Sequence, residues 1–164
     1  MVNDRIQEGH KRMEMNEGAT IEFLILANHV EAINGLLYIS GGGWTDQNRG
    51  AMPDQGTPLT HFGIGVSVLV PWGQTNQGHT LSIAIEDVDG AAVLQGPPVP
   101  INVGRPANLP PGSDQRVVMA LDIDFAFPRQ GTYRIAARLD DRHEKTWTFR
   151  IHDMPGPLAT APQR

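Results

Sequence analysis

The sequence predicts an all-β protein, a two-sheet β-sandwich of about eight or nine strands. Three observations carry that expectation. Several segments alternate apolar with polar or small residues at a period of two, as a strand with one buried face must. Turn dipeptides and prolines stand between those segments, where strands should stop. No segment has a long helical period.

The elements follow in chain order. Residues 20–27 and 36–40 are apolar on both faces, so these strands lie centrally or are covered by something else. Between them, residues 27–34 have room for one short helical turn, ended by the turn dipeptide Asn34-Gly35. Residues 41–60 read as a long polar loop. Phe62, Ile64, Val66, Val68 and Val70 then alternate with His61, Gly63, Gly65, Ser67 and Leu69. The face made by Gly63, Gly65 and Ser67 has almost no side-chain volume and suits the close approach of a covering loop or a second subunit. Leu81, Ile83 and Ile85 begin the next strand, which Asp89-Gly90 turns back toward a short strand over 91–95. Residues 99–103 are a weaker strand. Val117, Met119, Leu121, Ile123, Phe125 and Phe127 share one face; so do Tyr133, Ile135, Ala137 and Leu139, and so do Trp147, Phe149 and Ile151.

Residues 128–135 resemble the turn that enters the penultimate strand of immunoglobulin-like sandwiches, with Gly131 two residues before Tyr133. In such a tyrosine corner the hydroxyl ties back to the turn, and the two flanking strands belong to opposite sheets. Ile135 stands where antibody domains carry a cysteine. A plain hairpin with an inward tyrosine is the alternative. A corner separates Asp122 and Asp124 from Arg134, Arg138 and Arg150, whereas a hairpin lets them pair across adjacent strands. The fold is thus expected to be immunoglobulin-like or Greek-key.

The 164 residues fit one domain. Residues 1–18 are polar and read as a flexible arm, 19–153 as the β-domain, and 154–164, with Pro155, Pro157 and Pro162, as a disordered tail. The absence of cysteine excludes disulfides, thiolate metal sites and cysteine nucleophiles. A net charge of −5 argues against nonspecific nucleic-acid binding, which needs a dense basic patch. No apolar stretch is long enough to span a bilayer, and no signal peptide is recognisable, so a cytoplasmic protein without membrane contact is expected.

Motifs of chemistry are weak. Gly41-Gly42-Gly43-Trp44 follows a strand as a phosphate cradle would, but no lysine and no helix follow it, so a bend or bulge anchored by Trp44 is the simpler reading. Glu86-Asp87-Val88-Asp89-Gly90 opens like a calcium loop, yet the later ligands are missing and a hairpin turn explains it. His10, His29, His61, His79, His143 and His152 form no HxH, HxxxH or HExxH pattern, and no metal site is assigned. Ser40, Ser67, Ser82 and Ser113 lack a nucleophile context. Asp122 and Asp124 read as a solvated strand face rather than a catalytic pair. Residues 70–79 join Trp72 to amide side chains, the composition of a sugar-binding surface and also of an anchored loop.

Leu37-Tyr38-Ile39-Ser40-Gly41-Gly42-Gly43-Trp44, Val70-Pro71-Trp72 with Thr75-Asn76 and His79, and Asp87-Val88-Asp89-Gly90 resemble a family of small uncharacterised bacterial proteins of actinobacterial type. Val103-Gly104-Arg105-Pro106 and Leu109-Pro110-Pro111-Gly112 fit the same pattern. The resemblance implies a β-rich domain and transfers no catalytic residue or cofactor. The expected function is therefore non-enzymatic: protein binding or self-association, with a ligand or interface site among Gly41, Gly42, Gly43, Trp44, Trp72, Asn76 and His79. No cofactor is expected. The alternatives are a module binding a small ligand or carbohydrate through its loop tryptophans, and a structural protein of a phage or particle shell.

Overall fold

The structure, a computed structural model, describes residues 18–49 and 58–154. The arm expected over 1–18 falls outside these except for Gly18, as does the tail apart from Met154, and as do residues 50–57 of the long loop. The protein is all-β, with strands β1 (Thr20–Ala27), β2 (His29–Ile33), β3 (Leu36–Ser40), β4 (Asp46–Arg49), β5 (Thr60–Val70), β6 (Gly78–Asp87), β7 (Ala92–Gln95), β8 (Val99–Asn102), β9 (Gln115–Phe125), β10 (Gly131–Leu139) and β11 (His143–Asp153). No helix among the described residues is long and apolar enough to cross a membrane.

The strands form three sheets rather than the expected two. A three-stranded antiparallel sheet has the order β1-β5-β9. A six-stranded sheet has the order β4-β11-β10-β6-β7, with β8 pairing the first half of β6 and β7 its second half. The third sheet is the β2–β3 hairpin. Among the described residues, eleven strands in three sheets stand in place of the expected two-sheet immunoglobulin-like sandwich of eight or nine strands.

The core lies between the two larger sheets. Phe62, Ile64, Val66, Val68 and Val70 of β5 are fully buried, and Leu24 and Leu26 of β1 lie beside them. Leu81 and Ile85 of β6, Tyr133, Ile135, Ala137 and Leu139 of β10, and Phe149 and Ile151 of β11 complete the same cluster. Each set shares one strand face by the period of two. Burying such side chains is worth about 1.5–3 kcal/mol each.

Beyond β9, Phe127 is the hub of an aromatic cluster. Its ring centroid is 5.9 Å from that of Phe62, 4.9 Å from Phe125, 4.8 Å from Tyr133 and 5.7 Å from Phe149. The chain passes here from β9 in the three-stranded sheet to β10 in the six-stranded sheet. The Tyr133 hydroxyl donates to the Arg129 carbonyl at 2.8 Å. The tyrosine-corner alternative is therefore the one the chain adopts. Among the described residues, Asp122 and Asp124 accordingly pair with no arginine; Arg134 and Arg138 bind Glu86, and Arg150 binds Asp46 at 2.8 Å.

Two further differences from expectation have local causes. The stretch given to a helical turn is strand β2, which pairs with β3 from His29↔Ser40 to Ile33↔Leu36. Asn34 (φ 52°) and Gly35 (φ 76°) are both left-handed, as a two-residue hairpin turn of this hand requires. β4 lies inside the segment read as loop; its polar residues gain a strand by parallel pairing with the far end of β11.

The outer face of β5 explains where the hairpin sits. Added β-carbons at Gly63 would lie 2.8 Å from the Val30 nitrogen, and at Gly65 2.9 Å from Leu37 Cδ2. Only glycine leaves room for the hairpin at these two positions. The flat face is thus covered, by the chain's own hairpin. β1 carries apolar residues on both faces for the same reason: a bulge between Ile21 and Phe23 shifts its register, and Ile25 packs outward beside Gly65.

Candidate functional site

The triple-glycine loop closes the hairpin back onto β1. Gly41 (φ 62°) and Gly43 (φ 91°) are left-handed, and the Gly43 N–H donates to the Leu26 carbonyl at 2.8 Å. The Asn28 N–H reaches the Ser40 carbonyl at 3.1 Å from the other side. Trp44 then turns inward. Its ring meets Phe149 edge-on at 5.7 Å, and its carbonyl accepts from Trp147 Nε1 at 3.1 Å. Its own Nε1 is buried and has no hydrogen-bond partner among the described residues. With the Gly43 N–H committed to Leu26 and the Trp44 ring packed on Phe149, the loop acts as a bend and an anchor.

Trp72 stands at the opposite end of the molecule. It follows Val70, the last residue of β5, which pairs with Gln115. Trp44, by contrast, packs on Phe149, close to Phe127 and Phe62 near the first residues of β5. Arg105 lies over the Trp72 ring at 4.7 Å and donates to the Trp72 carbonyl at 3.1 Å and to Thr75 Oγ1 at 2.6 Å. The Trp72 N–H donates to Asp114 at 3.1 Å. Asn76 is left-handed (φ 62°) and its N–H donates to the Val103 carbonyl at 2.7 Å. His79 is buried, with Nδ1 2.7 Å from Asp140 Oδ2. Burial opposes ionisation of Asp140, yet the bonds from His79 and the Thr80 N–H hold its carboxyl below the ordinary range. Trp72 and Asn76 thus belong to one internally bonded loop and His79 to the strand that follows it, apart from Gly41, Gly42, Gly43 and Trp44.

The turn at Glu86–Gly90 is a hairpin device. Asp87 Oδ1 accepts the N–H groups of Asp89 and Ala91, both at 3.0 Å, and Gly90 is left-handed (φ 81°). A shallow open groove beside it is lined by Asp87, Val88, Thr132, Arg134 and Thr148 and by none of the candidates above.

Two features were not legible as sites. The first is the outward face of the β2–β3 hairpin. Cross-strand partners share a face, so Ile33 with Leu36, and Glu31 with Tyr38, point away from the glycines. Ile33, Leu36 and Tyr38 are 46%, 60% and 51% exposed. Phe23 and Ile39 are also exposed. Among the described residues this is a concentration of large apolar side chains that no core needs.

The second is a cluster at the root of the hairpin. His29 Nδ1 lies 2.5 Å from Asp122 Oδ2, and His61 Nδ1 lies 3.0 Å from Asp124 Oδ1. The two aspartates read as a solvated face are both engaged. Their histidine partners come from strands remote in the chain, so spacing carried no signal; the register of β5 against β9 sets His61 opposite Asp124, and the packing of the hairpin on β5 and β9 brings His29 to Asp122.

Residues 22–152 match the model of a protein family described as a family of unknown function (DUF6941). None of the curated proteins matches the chain.

Proposed function

We propose that this chain, which belongs to the family of unknown function DUF6941, is a non-enzymatic protein that works by self-association through its β2–β3 hairpin. The observation that supports this reading is the outward hairpin face, where Ile33, Leu36 and Tyr38 stand about half-exposed. A two-stranded sheet is marginal by itself and has free edges on both sides. Here one face is spent on Val30 and Leu37 against the glycines, and the other offers apolar side chains to a partner. A second copy supplies a matching apolar face by symmetry, the usual form of such an assembly. The cytoplasmic, actinobacterial-type setting suggested by composition and resemblance is part of the same reading.

The loop tryptophans lend less to the ligand-binding alternative, because each is held by its own neighbours at a different end of the fold. Sedimentation velocity over a concentration series tests the proposal. The expected result is a discrete oligomer that Leu36→Glu with Tyr38→Glu converts to monomer without loss of fold. A monomer at every concentration overturns self-association. Large uniform particles would support the shell-protein alternative instead.

A further inference from the structure

Three strands bring two histidines and three carboxylates to the root of the hairpin. His29 opens β2, His61 stands near the start of β5, and Asp122 and Asp124 lie on β9. One ligand atom from each of His29, His61 and Asp122 lies within 4.8 Å of the others. Each of these side chains is also steadied from outside the cluster. Glu31 is 3.3 Å from His29 Nε2, and Asp124 occupies His61 Nδ1, which leaves Nε2 for an ion. The Val30 N–H holds the second oxygen of Asp122 at 3.2 Å. Carboxylates that engage one imidazole nitrogen fix the ring so that the other presents its lone pair to a metal.

Charge points the same way. Among the described residues no lysine or arginine is ion-paired with Glu31, Asp122 or Asp124. A divalent cation would supply the positive charge that these carboxylates lack from lysine or arginine.

We infer that His29, His61 and Asp122 bind one divalent transition-metal ion of the zinc class, with water in the fourth position. Two imidazoles and a carboxylate are a nitrogen-oxygen set that suits zinc; calcium and magnesium prefer all-oxygen sites. Ligands about 2.0–2.2 Å from a tetrahedral ion lie roughly 3.4 Å apart, so on binding His29 Nδ1 and Asp122 Oδ2, now 2.5 Å apart, open by about 1 Å while His61 is drawn in toward them. The side chains of His29, His61 and Asp122 are 48%, 51% and 29% exposed, which leaves them free to make that rotation. The ion joins the hairpin root to β5 and β9, and through them to the sheet that carries the hairpin.

Zinc titration of the full chain, with cobalt(II) as a spectroscopic substitute, tests the site whatever the oligomeric state. The expected result is one ion per chain at micromolar metal, with the ring resonances of His29 and His61 shifting together. Asp122→Asn keeps an acceptor for the Val30 N–H, and His61→Ala removes a half-exposed ring, so both variants should fold. Each is expected to weaken binding by roughly tenfold or more. His152→Ala, at the separate His152–Asp46 contact, is expected to leave it unchanged. Absence of saturable binding, or binding that Asp122→Asn and His61→Ala leave intact, overturns the inference.

Discussion

The Tyr133 hydroxyl and the Arg129 carbonyl, 2.8 Å apart, pin the crossover between the two large sheets. The ring belongs to the core, with Phe127 at 4.8 Å and Phe149 at 6.0 Å, while the hydroxyl reaches back four residues to the turn. One side chain therefore sets both the packing of the aromatic cluster and the path by which the chain changes sheets. Tyr133→Phe keeps the ring and removes the tie. It is expected to lower stability by about 0.5–1.5 kcal/mol, the usual net worth of one such bond. Urea denaturation measures this, and an unchanged midpoint would show that the turn holds itself.

Gly63 and Val30 give the second prediction. A β-carbon at Gly63 would stand 2.7 Å from Asp122 Oδ1, 2.8 Å from the Val30 nitrogen and 2.9 Å from Val30 Cγ2. A backbone nitrogen moves only if the hairpin lifts. Gly63→Ala is expected to cost about 1–3 kcal/mol, as overpacking does. Hydrogen exchange should quicken in β2 and β3 and stay slow in β10 and β11. Equal protection in wild type and variant would mean that the hairpin does not rest on this face.

The parts of the fold that were legible are those where burial is one-sided. Phe62 to Val70, Leu81 to Ile85 and Tyr133 to Leu139 repeat every second residue because each strand has one core face. β2 escaped, because of its five residues only Val30 is buried, and one buried position shows no period of two ahead of Asn34-Gly35. β4 was not readable, because Asp46 to Arg49 are polar and become a strand only against Arg150 to Asp153. The glycine face announced a close neighbour without naming it. The meeting of His29 with His61 depends on how the hairpin packs over β5, which no local pattern encodes.

Glu86 links the six-stranded sheet to pH. Its side chain is 6% exposed; Arg138 Nη2 binds it at 2.8 Å, and Arg134, directly opposite it on β10, binds it as well. Burial opposes its charge, but the two guanidinium groups outweigh burial and hold the carboxyl below the ordinary range. A carboxylate whose folded pKa is depressed contributes stability above its unfolded value, about 4.3, and loses it as pH falls through the folded value. Stability should therefore be flat from neutral pH to about 5 on this account and decline below that. Glu86→Gln should shallow that acid decline. At pH 7 it should cost about 1–3 kcal/mol, less than a fully buried pair, because Arg134 and Arg138 are 42% and 34% exposed and regain water. Thermal melts across pH 3–7 on both proteins separate the two effects.

Asp140 and Asp141 form the turn between β10 and β11 with φ of 53° and 55°, both left-handed. The Arg142 N–H closes it onto the Leu139 carbonyl at 3.1 Å. Asp140 repays its conformation, since its carboxylate binds His79 at 2.7 Å and the Thr80 N–H at 2.8 Å. Asp141 is exposed, and its side chain has no hydrogen-bond partner among the described residues. Left-handed backbone costs an ordinary residue about 1–2 kcal/mol, whereas glycine loses about 0.5–1 kcal/mol through the flexibility of the unfolded chain. The difference favours glycine at the second position, where Asp-Gly is a preferred hairpin pair. Asp141→Gly is thus expected to raise stability by about 0.5–1 kcal/mol. Asp140→Gly is expected to lower it, because the buried His79 ring and the Thr80 N–H lose their shared acceptor. Parallel melts of the two variants measure the contrast, and a stabilised Asp140→Gly would remove the role assigned to that carboxylate.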